Sequence, residues 1–160
     1  MSDRVKLTAL AILLALLPVG TILGQSADRI DTILATPRLS VGDAAYLATT
    51  SAAAIDPQQD AAAAIGVLST RAARAEHRDR YAERDLEADA TLGDFAYMLM
   101  LSHDLAGGFW YGLFPGPRYA LRELRWRGIV EGQNYALQPL DGERALRMLS
   151  RILETLEDGG

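Results

Sequence analysis

Arginine side chains form the most regular pattern of possible ligand-binding groups in this sequence. Six of them recur at spacings of three or four residues, in two sets: Arg118, Arg122 and Arg125, and Arg144, Arg147 and Arg151. On an α-helix this spacing places each set on one face. Guanidinium groups are planar and permanently charged, so they bind carboxylates and phosphates through paired hydrogen bonds. If the two faces are adjacent, they predict a site for an anionic glycan. If each set pairs with glutamates such as Glu123 and Glu143, they are two solvated faces.

Large aromatic residues lie beside the first arginine set. The segment Gly107–Pro117 contains Phe109, Trp110 and Tyr111, and Trp126 follows the arginines of that set. We expect this segment to fill the core between structural units. The alternative is a groove or partner surface, because exposed aromatic patches mark interaction sites and an indole ring has a flat apolar face for a sugar. The ligand-binding hypothesis therefore comprises eight residues: Arg118, Arg122, Arg125, Trp126, Arg144, Arg147, Trp110 and Tyr111.

The residues typical of catalysis and metal binding form no recognised pattern. His77 lies in the charged stretch Arg71–Asp89 and is expected to be solvated, whereas His103 follows an apolar helix, whose C terminus favours histidine. Neither histidine has the spacing of a metal-ligand motif. The glycines of the aromatic segment match no phosphate-binding loop, and no nucleophile elbow is present. The sequence predicts no catalytic site, no metal and no cofactor.

The first 24 residues have the order of features of a signal peptide. Arg4 and Lys6 precede the apolar run Leu7–Leu23, and a polar stretch follows Gly24. We expect cleavage after Gly24, which leaves residues 25–160 as the mature domain. The alternative is an uncleaved anchor, because the run reaches the short end of the length needed to span a bilayer. Either interpretation predicts export to the periplasm or cell envelope, with membrane contact only through this segment if it is uncleaved.

The composition excludes several classes of protein. The chain contains no cysteine, so the leader cannot carry a lipid-modified cysteine and no disulfide can form. The formal net charge is −5, and removal of Asp3, Arg4 and Lys6 with the leader changes it to −6. A nucleic-acid binder needs a basic surface to neutralise phosphates. We therefore expect no nucleic-acid partner.

Helix signals dominate the mature domain and predict an all-α fold. Ser40 and Thr91 are good N-caps, and each has an acidic residue three positions later. The stretch after Thr91 is apolar nearly all round and is expected to lie in the centre of the core. We expect residues 104–117 to form a loop and the charged stretch Arg71–Asp89 to form a solvated helix or insertion. Predicted helices cover 27–35, 40–48, 57–68, 91–101, 118–127 and 141–156.

A motif recurs at intervals of about fifty residues. Its Gly–acid pairs are Gly42-Asp43, Gly93-Asp94 and Gly142-Glu143, at spacings of 51 and 49 residues. In the first two copies the pair is followed closely by Ala-Tyr. A period of this length is typical of stacked helix pairs, each unable to bury its apolar face alone. The sequence predicts three divergent helix-pair repeats packed as one domain.

The C-terminal part resembles an S-layer homology repeat. The resemblance is carried by Arg118–Gly132, with its Gly128-Ile129-Val130-Glu131-Gly132 turn, and by the helix start at Leu140–Leu149. The stretch Gly107–Leu124, with Phe114-Pro-Gly-Pro-Arg-Tyr-Ala120 and Arg122-Glu-Leu124, is also similar to one in small exported proteins of spirochaete-type envelopes. The resemblance implies three units around a pseudo-threefold axis and noncovalent attachment to cell-wall glycan. The arginine that contacts the ligand in that family has no counterpart at the matching positions: Val41 or Gly42, Leu92 or Gly93, and Asp141 or Gly142.

Together these features predict a non-catalytic cell-envelope module. Its expected partner is cell-wall polysaccharide, such as peptidoglycan, or an envelope protein. The alternative is a periplasmic small-ligand carrier or enzyme, whose pocket would be formed by Phe109–Tyr119 with His103.

Overall fold

The computed structural model describes residues 28–72, 75–132 and 135–158. The predicted signal peptide, residues 1–24, and its cleavage position lie outside the described residues. Residues 1–31 form one unit, in which only 28–31 are described, and residues 32–160 form a second. Within the described ranges, no helix is both long and apolar enough to cross a membrane.

The described residues form helices and no strand, so the all-α prediction is confirmed. The helices are residues 28–34 (α1), Val41–Ser51 (α2), Ala61–Arg71 (α3), Ala75–Ala82 (α4), Leu92–Ser102 (α5), Phe109–Leu113 (α6), Pro117–Trp126 (α7) and Gly142–Asp158 (α8). The expectation of a continuous loop over residues 104–117 is wrong, because α6 lies within it.

Side-chain caps are present at the starts of α2 and α5, where the sequence predicted them. The Ser40 hydroxyl accepts a hydrogen bond from the Asp43 amide at 3.1 Å. Thr91 and Asp94 form a reciprocal capping box at the start of α5. Such caps satisfy backbone N–H groups that have no partner within the helix.

The chain segments just before α2, α5 and α8 meet in a closed ring of backbone hydrogen bonds. The Leu39 amide donates to the Leu140 carbonyl at 2.7 Å, Leu140 donates to Ala90 at 3.0 Å, and Ala90 donates back to Leu39 at 2.8 Å. All three residues are fully buried. Successive ring residues are 51 and 50 residues apart, whereas the glycines of the Gly–acid pairs are 51 and 49 residues apart. The third unit therefore differs from the other two by one residue in the spacing between its ring residue and its glycine.

A second layer of hydrogen bonds surrounds this ring. The first amide of α2 donates to Ala88, before α5, and the first amide of α5 donates to Gln138, before α8. The first amide of α8, at Gly142, donates to Thr36, before α2. Each helix start is therefore bound to the segment that precedes the next one, and the third returns to the first.

Helix α5 lies at the centre of the hydrophobic core, as predicted. Phe95, Met98 and Leu99 are fully buried, and the helix packs against α2, α3 and α7. The last of these contacts fixes the position of α7, whose Leu121 and Leu124 are buried and whose arginines face outward.

The charged stretch contributes to the core, contrary to expectation. His77 is 8% exposed and Tyr81 is 2% exposed, so the prediction that His77 is solvated is wrong. Both rings lie near Tyr97 of α5, with centroid distances of 5.1 and 6.1 Å. His77 and Tyr81 are four residues apart and share one helix face. The surrounding charges conceal this short apolar stripe in the sequence.

Candidate functional site

The aromatic segment lies at the surface beside α7. No residue of α6 is buried, and Phe109 and Trp110 are 73% and 50% exposed. Leu113 and Phe114 are also exposed. The expectation that this segment fills the core is therefore wrong. The segment lies at the surface, as the alternative prediction of a groove or partner surface requires. A single turn of helix with five residues is too short to bury all of its large side chains against one neighbour.

Tyr111 is the member of the segment that packs inward. Its ring contacts the core residue Tyr97 edge-on, at a centroid distance of 6.3 Å. Burial, and then the neighbouring Tyr97 and Glu123, raise the pKa of the Tyr111 hydroxyl well above its usual value. The phenol therefore remains neutral and able to donate a hydrogen bond at any physiological pH.

A groove of about 250 Å³ separates α6 from α7, and we call it the aromatic groove. Its lining residues are Gly108, Phe109, Trp110, Tyr111, Tyr119, Arg122, Glu123 and Trp126. Four of the eight residues in the ligand-binding hypothesis meet here: Trp110, Tyr111, Arg122 and Trp126. The indole of Trp126 is 82% exposed.

The arginines of α7 are available to bind a ligand, because the neighbouring acidic side chains that the structure describes do not pair with them. Among the described residues, Arg118, Arg122 and Arg125 make no salt bridge, and all three are exposed. Glu123, the acid expected to neutralise them, lies 3.6 Å from Arg127 instead, and its side chain is only 15% exposed. This face carries a local positive charge on an acidic protein.

The second arginine set lies at a different cavity. Arg144, Arg147 and Arg151 line a space of about 440 Å³ together with Glu131 and Asp141. Arg147 pairs with Glu143 at 2.7 Å, and Arg151 pairs with Glu131 at 2.8 Å. Arg122 of the first set lines the aromatic groove instead. Arg147 and Arg151 fit the alternative in which the arginines pair with glutamates on a solvated face.

A third cavity, of about 490 Å³, lies between the C-terminal ends of α3 and α5 and the aromatic segment, and we call it the α3–α5 cavity. It is lined by Arg71, Tyr97, Met100, Leu101, Asp104, Leu105, Tyr111 and Pro115. His103 does not line it, contrary to the alternative prediction of a His103 pocket. The His103 ring instead lies 3.1 Å from the Ser51 hydroxyl, and its burial and the nearby Arg71 lower its pKa.

The described residues contain no group of three acidic or histidine side chains able to hold a metal ion. Comparison with known proteins identifies no matching family model, curated protein or solved structure.

Proposed function

We propose that this protein is a non-catalytic module of the cell envelope that is exported by its N-terminal segment and binds wall polysaccharide in the aromatic groove. The observation that carries the proposal is the convergence of Trp110, Tyr111, Arg122 and Trp126 on one groove. These side chains come from two helices. Tyr111 packs partly against the core, whereas Trp110, Arg122 and Trp126 are exposed.

The groove offers the two kinds of contact that a glycan needs. The exposed faces of Trp110 and Trp126 provide apolar surfaces for sugar rings. Tryptophan and arginine are enriched among the residues that contribute most to binding energy at interfaces. Arg122 and the neutral Tyr111 hydroxyl supply hydrogen-bond donors, and Glu123 supplies acceptors. Arg118 and Arg125 extend the positive charge beyond the groove, which favours a polymer that carries carboxylates or phosphates.

We further propose that the mature domain consists of three divergent units in an arrangement like that of S-layer homology repeats. The closed ring of Leu39, Ala90 and Leu140 supports this proposal, because each unit contributes one equivalent backbone position. The connections outside the ring follow the same cyclic order.

The missing family arginines are consistent with a glycan site elsewhere on the surface. A β-carbon at Gly42 would lie 3.0 Å from Ala61, and one at Gly93 would lie 2.9 Å from the Ala136 carbonyl oxygen. Val41 and Leu92, the other matching positions in the first two copies, are fully buried. A long charged side chain has no room at these helix starts, so the ligand contacts are assigned to the aromatic groove.

The test is co-sedimentation of the purified protein with peptidoglycan sacculi in moderate salt. Trp126→Ala and Arg122→Ala are each expected to weaken retention by about tenfold or more. Both side chains are exposed, so neither change should lower stability by more than about 0.5 kcal/mol.

Arg147→Ala is the matched control, because Arg147 is an exposed helical arginine at a different cavity. It should be retained like the wild type. Equal retention of the wild type and Trp126→Ala would overturn the assignment of the groove. No retention of the wild type would overturn the glycan as its ligand and leave an envelope protein as the partner.

A further inference from the structure

The α3–α5 cavity holds a positive and a negative side chain that do not pair with each other. Among the described residues, neither Arg71 nor Asp104 makes a salt bridge, although both line the same cavity. Both residues are exposed, so solvent screens their attraction and a direct pair would gain little. Two separated charges leave room for a ligand that carries both complementary groups.

Arg71 is held in place by the end of α5. Its Nη1 donates to the Ser102 carbonyl at 2.6 Å and to the Leu101 carbonyl at 3.3 Å. A guanidinium has five N–H donors, so these contacts leave further donors for a ligand. The side chain is thus preorganised, which reduces the entropy lost when a carboxylate binds.

Asp104 occupies a position that does not favour an acidic residue. Its φ of +49° lies in the left-handed region, where glycine is the most favourable residue after a helix. Leu105 donates to the Met100 carbonyl at 3.0 Å, which closes the end of α5 around Asp104. A carboxylate here also lies at the negative end of the helix dipole. The dipole therefore adds to the attraction of this carboxylate for a cation.

The remaining walls of the cavity are formed by apolar residues and tyrosines. They consist of Met100, Leu101, Leu105, Pro115, Tyr97 and Tyr111. The volume of about 490 Å³ falls in the range of roughly 300–1,000 Å³ that is usual for small-ligand sites. The cavity therefore combines apolar side chains and tyrosine rings with one cationic and one anionic group.

We propose that the α3–α5 cavity binds a small zwitterion with an apolar side chain, of the amino-acid class. The carboxylate of the ligand contacts Arg71, its ammonium contacts Asp104, and its side chain packs on Met100 and Leu105. This site is distinct from the aromatic groove and does not depend on the proposed glycan function. Tyr111 lines both sites, so it separates the two ligands by one aromatic ring.

The test uses leucine, methionine and phenylalanine as probes, with binding measured by calorimetry and by the shift in Tm of the purified protein. At least one probe is expected to bind and to raise Tm, because a ligand that binds only the folded state stabilises it. For leucine, the matched compounds are 4-methylpentanoate, which lacks the ammonium, and 3-methylbutylamine, which lacks the carboxylate. Each matched compound should bind about tenfold more weakly or worse than the zwitterion. Absence of binding by all three probes would overturn the proposal.

Asp104→Asn is the decisive variant. Asparagine tolerates the left-handed conformation and removes the charge at the helix end, so the variant should be at least as stable as the wild type without ligand. Its affinity for the zwitterion should fall about tenfold or more. Glu157→Gln, an exposed change near the end of α8, is the control for loss of one negative charge. Full binding by Asp104→Asn would contradict the proposal.

Retention on sacculi should be unchanged in Asp104→Asn. The two proposals can thus be contradicted independently. A protein that binds leucine but not sacculi would contradict only the proposed function.

Discussion

Arg84→Ala is expected to lower the free energy of unfolding by about 3–5 kcal/mol, because it leaves the Asp94 carboxylate buried without its partner. The two side chains form a bidentate pair, with distances of 2.8 Å from Nη1 to Oδ1 and 2.6 Å from Nη2 to Oδ2. The side chains of Arg84 and Asp94 are only 20% and 8% exposed. Urea denaturation at neutral pH measures the change.

Arg38→Ala is the matched control for this prediction. Arg38 also pairs with an aspartate, Asp89, at 2.7 Å, but these side chains are 65% and 49% exposed. Solvent screens such a pair, so its loss should cost about 0–1 kcal/mol. Similar losses for the two variants would show that the burial of the Arg84–Asp94 pair has no special importance.

The same pair predicts how stability depends on pH. Burial alone would raise the pKa of Asp94, but hydrogen bonds from Arg84 and Thr91 outweigh it and hold the pKa below its usual value. A carboxyl whose pKa is lower in the folded state stabilises the fold above its unfolded pKa, and this contribution disappears as the pH falls through the folded pKa. The difference in stability between the wild type and Arg84→Ala should therefore shrink below about pH 4. A constant difference across the acid range would contradict this assignment.

Gly142→Ala is expected to lower the free energy of unfolding by about 3 kcal/mol, because the new methyl group has no space. A β-carbon at Gly142 would lie 1.7 Å from the carbonyl oxygen of Ile33 and 2.6 Å from its carbonyl carbon. Both atoms belong to the backbone, so relief requires movement of the chain that holds the start of α8 against Thr36. Thermal and urea unfolding measure the loss.

Gly66→Ala is the control for this substitution. Gly66 lies inside α3, and a β-carbon there would meet no atom within 4 Å. Alanine in the interior of a helix is favoured over glycine by about 0.5–1 kcal/mol, so this variant should be slightly more stable than the wild type. A small effect of Gly142→Ala would mean that the start of α8 is not held tightly against Ile33 and Thr36.

The helix starts were predictable because their signals are local. Ser40 and Thr91 cap amides only three residues away, so the interaction is complete within a few residues of sequence. The apolar character of α5 likewise predicted its central position. The burial of His77 was not predictable from composition, because it depends on Tyr97 of another helix.

The sequence indicated candidate site residues, and their arrangement depended on the tertiary structure. The spacing of Arg118, Arg122 and Arg125 placed them on one face of α7, and this face is exposed. The distance between this set and the arginines of α8 depends on how helices pack. Arg122 lines the aromatic groove, whereas the arginines of α8 line a different cavity. The α3–α5 cavity unites Arg71 and Asp104 from two helix ends, and no spacing in the sequence relates them.

The sequence by itself determined the helical class, the capped starts of α2 and α5, and the identity of the aromatic and arginine side chains beside α7. These properties follow from interactions within one or two helical turns. Only the tertiary structure decided which faces became core, groove or cavity, and how the three helix starts close into a ring. The ring of Leu39, Ala90 and Leu140 is made by backbone N–H and C=O groups that every such residue carries. The Gly–acid motif marks the period of these segments, but side chains do not specify which backbone groups pair across about fifty residues of chain.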